Sequence, residues 1–77
     1  MMNDNRRNNI RDAISLLERA NDILTNAQEE EQDCIENMPE SLQNTLRFEK
    51  MEEADGYLGD AISSIDDAIE SANNAME

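Results

Sequence analysis

The 77-residue chain reads as an all-α protein. The expected architecture is an antiparallel two-helix coiled-coil hairpin that dimerises into a four-helix bundle. Three observations carry this. Apolar residues recur at steps of three and four on both sides of one proline, Pro39. Alanines recur every seven residues in both halves, as Ala13, Ala20, Ala27 and then Ala54, Ala61, Ala68, Ala75. That period belongs to left-handed coiled coils. Finally, a chain this short buries only about 60% of the surface its unfolded form exposes, so its own core is marginal.

The first helix is expected from about residue 6 to 36. Its apolar positions are Ile10, Ala13, Ile14, Leu16, Leu17, Ala20, Ile23, Leu24 and Ala27, and Cys34, Ile35 and Met38 keep the phase. They cover roughly half the helix circumference, wider than the approximately 100° stripe of an ordinary surface helix. Such a helix wants more than one neighbour.

Pro39 ends this helix, because it lacks the amide donor and pushes Met38 out of the α region. Proline also suits the first position of a new helix, and Glu40 suits its positive N-terminal end. The turn is therefore expected at 37–40. A link that short leaves its helices antiparallel.

The second helix is expected from about residue 40 to 75, so that residues 1–77 form one domain. Its apolar series runs through Leu42, Leu46, Met51, Ala54, Leu58, Ala61, Ile62, Ile65, Ala68, Ile69, Ala72, Ala75 and Met76. Gly56 and Gly59 interrupt it, each costing about 1 kcal/mol against Ala in a helix interior. Either the helix runs through and the glycines admit a close neighbour, or it breaks near 56–59 to give a three-helix bundle. The unslipped apolar phase from Met51 to Met76 favours the continuous helix.

In an antiparallel hairpin the numbers of facing residues sum to a constant. A sum of 81 aligns Ala13 with Ala68, Ala20 with Ala61 and Ala27 with Ala54, and centres the turn beside Pro39. On that reading the larger residues flank an alanine ladder. Ile14, Leu17, Leu24, Leu58, Ile62, Ile65 and Ile69 would form the core or dimer seam.

Charge narrows the function. Nineteen acids face six bases and no histidine, for a net charge of −13. This excludes a basic nucleic-acid binder and any histidine-dependent catalysis. One cysteine excludes a disulfide scaffold. Disorder is set aside because the apolar residues are periodic. No nucleotide fingerprint, phosphate loop or zinc spacing is present. The chain is expected to be no enzyme and to carry no cofactor and no metal. No apolar stretch suits a signal peptide or a membrane span. Residence in the cytoplasm of a bacterial host cell is expected, without membrane or direct nucleic-acid binding. Residues 1–20 sum to +1, whereas residues 21–77 sum to −14.

Two acidic sets stand out. Glu29, Glu30, Glu31, Asp33, Glu36 and Glu40 form a tip without a base from residue 20 to 46. It is either a docking surface for a basic patch or a solvated helix end. Glu49, Glu52, Glu53, Asp55, Asp60, Asp66, Asp67 and Glu70 fall on the outer face of the second helix. A row of carboxylates on a rigid helix can imitate the phosphates of a DNA strand, and the bland alternative is a charged exterior. The excess of one sign favours the sharper reading, since ordinary surfaces mix signs.

Other residues carry weaker signals. Arg6, Arg7 and Arg11 are expected to balance Asp66, Asp67 and Glu70 across the hairpin. Cys34, beside Glu31 and Asp33, is expected as a packed small apolar residue rather than a reactive thiol. Phe48 falls off the Met51–Ile65 stripe, as a dimer contact or an exposed anchor.

Pro39-Glu40-Ser41-Leu42-Gln43, then Arg47-Phe48-Glu49 and Met51-Glu52-Glu53-Ala54 followed by Ala/Ile repeats, resemble small acidic helical proteins of phages and mobile elements of gut-type bacteria. The resemblance covers about residues 37–72. Some proteins of that kind block host defence nucleases, including CRISPR effectors and restriction enzymes. It implies a non-enzymatic inhibitor that binds a basic surface of a host protein, such as a nuclease, by DNA mimicry. It assigns no individual residue. The competing reading is a structural or adaptor coiled-coil module that works through its apolar seam.

Overall fold

The computed structural model describes residues 2–77. Two long α-helices pack side by side as an antiparallel hairpin: α1 spans Asp4–Glu36 and α2 spans Leu46–Ala75, joined through a 3₁₀ turn at Glu40–Leu42. The molecule is a rod of 60 × 14 × 13 Å. Its radius of gyration of 17.6 Å exceeds the roughly 11 Å of a compact domain of this length.

Each helix starts on a side-chain cap. The Asn3 side chain accepts from the Arg6 amide at 2.8 Å, and Thr45 Oγ1 accepts from the Phe48 amide at 3.3 Å. Both satisfy amide donors that a helix start leaves without partners. α1 closes at Asn37, whose amide donates to the Asp33 carbonyl, and the Met38 amide donates to the Ile35 carbonyl. Pro39 then leads into the 3₁₀ turn, where the Leu42 amide donates to the Pro39 carbonyl at 2.9 Å.

The second α-helix thus begins at Leu46 rather than near residue 40. Proline starts only one tight turn, and Thr45, the better capping residue, starts the long helix. α2 runs unbroken through both glycines, and no glycine takes a positive φ among the described residues.

The seam follows the large residues. On α1 the inward positions are Ile10, Ile14, Leu17, Asn21, Leu24, Gln28, Glu31, Ile35 and Met38, at alternating steps of four and three. On α2 they are Phe48, Met51, Asp55, Leu58, Ile62, Ile65, Ile69, Ala72 and Met76. Ile14 alone is buried, and the others are half-buried. All seven expected seam residues lie on this line.

The alanines do not form the seam. Ala13, Ala68 and Ala75 are exposed, and Ala20, Ala27, Ala54 and Ala61 are half-buried on its flank. The register shifts accordingly. A sum of 81 would set Gln28 opposite Glu53 and Asn21 opposite Asp60. Instead Gln28 lies against Asp55 and Gly59, and Asn21 bonds Asp66. These contacts shift the pairing by six, two and six residues, about five on average and more than one helical turn of 3.6 residues. Leucine and isoleucine remove more apolar area from water than alanine, so they take the inside and alanine takes the rim.

Candidate functional site

The seam divides the rod into two broad faces. Its polar contacts mark one flank. Asn21 Nδ2 donates to Asp66 Oδ1 at 2.8 Å, and Gln28 Nε2 donates to the Asp55 carbonyl at 3.3 Å. Gly59 sits on the same flank, where an added Cβ would lie 3.2 Å from Gln28 Nε2.

Helical spacing distributes the acids outward from this flank. On α2, Glu52 and Asp66 lie one step from the seam line, Glu49 and Glu70 the next step out, and Glu53, Asp60 and Asp67 on the outer ridge. All seven are exposed. On α1, Glu29 and Glu36 share the flank and Asp33 lies on the outer ridge, again exposed. The acids form one surface along the flank and ridge of α2 and the turn-end part of α1, and Arg11 and Arg19 interrupt it towards the start of α1.

Three expected members of the acidic sets lie elsewhere. Asp55 is half-buried in the seam, not on the outer face, and its Oδ1 has no hydrogen-bond partner. It shares a seven-residue phase with Phe48, Ile62 and Ile69, and that phase points inward. Glu31 is half-buried in phase with Leu24 and Met38. It lines an open depression of about 400 Å³ at the turn end, with Leu46, Arg47, Lys50 and Met51. Glu30 is exposed on the opposite, alanine-bearing flank.

The basic end also differs from expectation. Arg7 is half-buried at a seam position, and its Nε has no hydrogen-bond partner. Arg11 donates to Asn8 at 3.3 Å, and Asp66 is taken by Asn21. Cys34 is exposed, since it lies seven residues after Ala27 on the rim rather than in the seam. Phe48 is half-buried in the seam, in phase with Asp55 and Ile62, and Tyr57 is the exposed aromatic at 73%.

The opposite broad face carries the alanines. Leu16 and Ile23 stand beside them, 69% and 58% exposed. Seven-residue steps place Ala13, Ala20 and Ala27 of α1 and Ala54, Ala61 and Ala68 of α2 on this one flank. In an antiparallel pair the seam positions of like phase share a side, so the two alanine rows lie together.

Several of these residues escaped the sequence reading. Asn21 and Gln28 continue the phase of Ile14 by sevens to Ile35, a pattern visible once the large residues are followed instead of the alanines. Asn3 and Thr45 stand directly before helical runs, the usual signature of an N-cap.

Among the described residues, no cluster of His, Cys, Asp or Glu suits a metal ion, and no helix is long and apolar enough to cross a membrane. Comparison with protein-family models, curated proteins and solved structures finds no match.

Proposed function

We propose that this chain is a non-enzymatic binding protein whose acidic face docks on a basic surface of a host protein, acting as a homodimer. A nuclease of a bacterial defence system is the partner class this reading favours, with DNA mimicry as the mechanism and the cytoplasm of a bacterial host as its setting. The observation that supports it is the exposed acidic surface along α2. Glu49, Glu52, Glu53, Asp60, Asp66, Asp67 and Glu70 occupy one flank and ridge of a single helix. At a rise of about 1.5 Å per residue, they are spaced on average roughly 5.2 Å apart along the axis. One DNA strand carries one per about 3.4 Å. A groove lined by Lys and Arg that binds DNA gains much the same electrostatic attraction from either.

The test is capture from a bacterial lysate on the immobilised protein, followed by elution with a short DNA duplex or with salt. The proposal expects a DNA-binding protein that both displace. A retained partner that resists duplex and salt alike overturns mimicry. It would favour the adaptor reading, in which the apolar residues do the binding.

A further inference from the structure

Among the described residues, the hairpin leaves the alanine face largely exposed. The chain exposes 5854 Å², about 1,000 Å² more than the roughly 4,800 Å² expected of a compact monomer of its 8.8 kDa mass. Among the described residues only Ile14 is buried, while Leu16, Ile23 and Tyr57 stand more than half exposed. The excess approximates what each partner loses in a standard interface, about 800 Å². A face 60 Å long and 14 Å wide supplies that area.

The occupant must tolerate a neutral floor. Between residues 13 and 27 of α1, and between 54 and 75 of α2, the positions on this flank are Ala, Leu, Ile, Tyr and Ser, with no charge. A basic partner gains nothing there, and a second copy of the chain fits. Alanine at every seventh position lets two helices approach closely, and a two-fold axis near Ala20 pairs Ala13 with Ala27 and brings Leu16 beside Ile23 between copies.

Charge decides how the copies lie. Residues 29–53 at the turn end carry nine acids and two bases, for a net of −7. The open end, residues 1–20 with the end of α2 beside them at 66–77, carries seven acids and four bases, for a net of −3, less than half the charge of the turn end. Turn against turn would stack two strongly negative tips. Turn against open end sets Arg6 of one copy beside Glu30 of the other, both on the alanine-bearing side of α1.

We propose that two copies close their alanine faces on each other with the turn of each over the open end of the other, so that α1 stacks antiparallel on α1. This deepens the homodimer reading above and rests on it. It leaves the acidic faces outward on both sides of the bundle.

Cys34 reports the orientation directly. It is the sole cysteine, exposed, and fourteen residues from Ala20. With a nitroxide on Cys34, pulsed dipolar spectroscopy should read about 40 Å between labels, from a rise of about 1.5 Å per residue on either side of the axis. A distance under about 20 Å means turn against turn. That overturns the orientation while keeping the dimer. A monomer mass for the unlabelled chain by light scattering overturns the dimer as well. If labelling itself splits the dimer, the same distances are read with C34S and D33C, whose label sits on the outer ridge. Ala20→Glu should return the chain to monomer mass with its helicity retained, and a dimer mass for that variant places the interface elsewhere.

Discussion

Gln28 reaches across the hairpin to the backbone of Asp55, its Nε2 donating to that carbonyl at 3.3 Å, immediately beside Gly59. The contact places a polar amide in the middle of the seam, between Leu24 and Ile35. A polar seam position costs stability and specifies register. Asn21, one heptad earlier, does the same by bonding Asp66. The two contacts hold the helices in the observed register, and the alanine register would break both.

The glycines differ in what surrounds them. A Cβ at Gly56 meets nothing within 4 Å, whereas one at Gly59 meets the Gln28 amide. Gly56→Ala should therefore stabilise the fold by about 1 kcal/mol, the difference in helix propensity. Gly59→Ala should gain less, because the Gln28 amide must retreat from 3.2 Å. Urea denaturation followed by circular dichroism gives the order. An equal or larger gain at Gly59 contradicts the close contact.

Asp55 holds a buried carboxylate oxygen without a partner. A buried polar group left unsatisfied costs about 1–3 kcal/mol. Asp55→Leu removes that cost and extends the apolar line from Met51 to Leu58. Its urea midpoint should rise, and a fall would mean that the carboxylate is satisfied in solution.

Much of this was legible in the chain. Helix periodicity, the break at Pro39 and the antiparallel pairing follow from spacing alone. The register did not, because two seven-residue series run side by side. Ala13, Ala20 and Ala27 are perfectly regular, while Ile14, Asn21, Gln28 and Ile35 mix apolar with polar. Regularity pointed to the alanines, but burial follows size, and two polar residues hid the true seam. The acidic surface was legible as composition. Asp55 and Glu31 could not be separated from it until the inward phase was known.

Ile14 is the one buried residue among those described, so its side chain carries more of the core than any other of them. Ile14→Ala should cost about 2–4 kcal/mol, the range for buried large-to-small changes. Leu46→Ala, at a position 67% exposed, should cost under about 0.5 kcal/mol. Thermal melts of the two variants test the contrast, and equal losses would mean the seam is centred elsewhere.

Thr45 starts α2 by accepting the Phe48 amide. Thr45→Ala should destabilise by about 1 kcal/mol, and Thr45→Ser should restore most of it. The urea midpoint reads both. No loss on Thr45→Ala would move the start of α2 back towards Pro39.

The central claim is that the acidic face does the binding. Its most direct measurement replaces Glu49, Glu52 and Glu53 together by Lys and repeats the lysate capture beside the unaltered chain, with circular dichroism on both. All three residues are exposed on the acidic flank and ridge of α2, outside the seam and away from the alanine face. The account predicts unchanged helicity and loss of the captured partner. Retention of the same partner by the charge-reversed chain would contradict it.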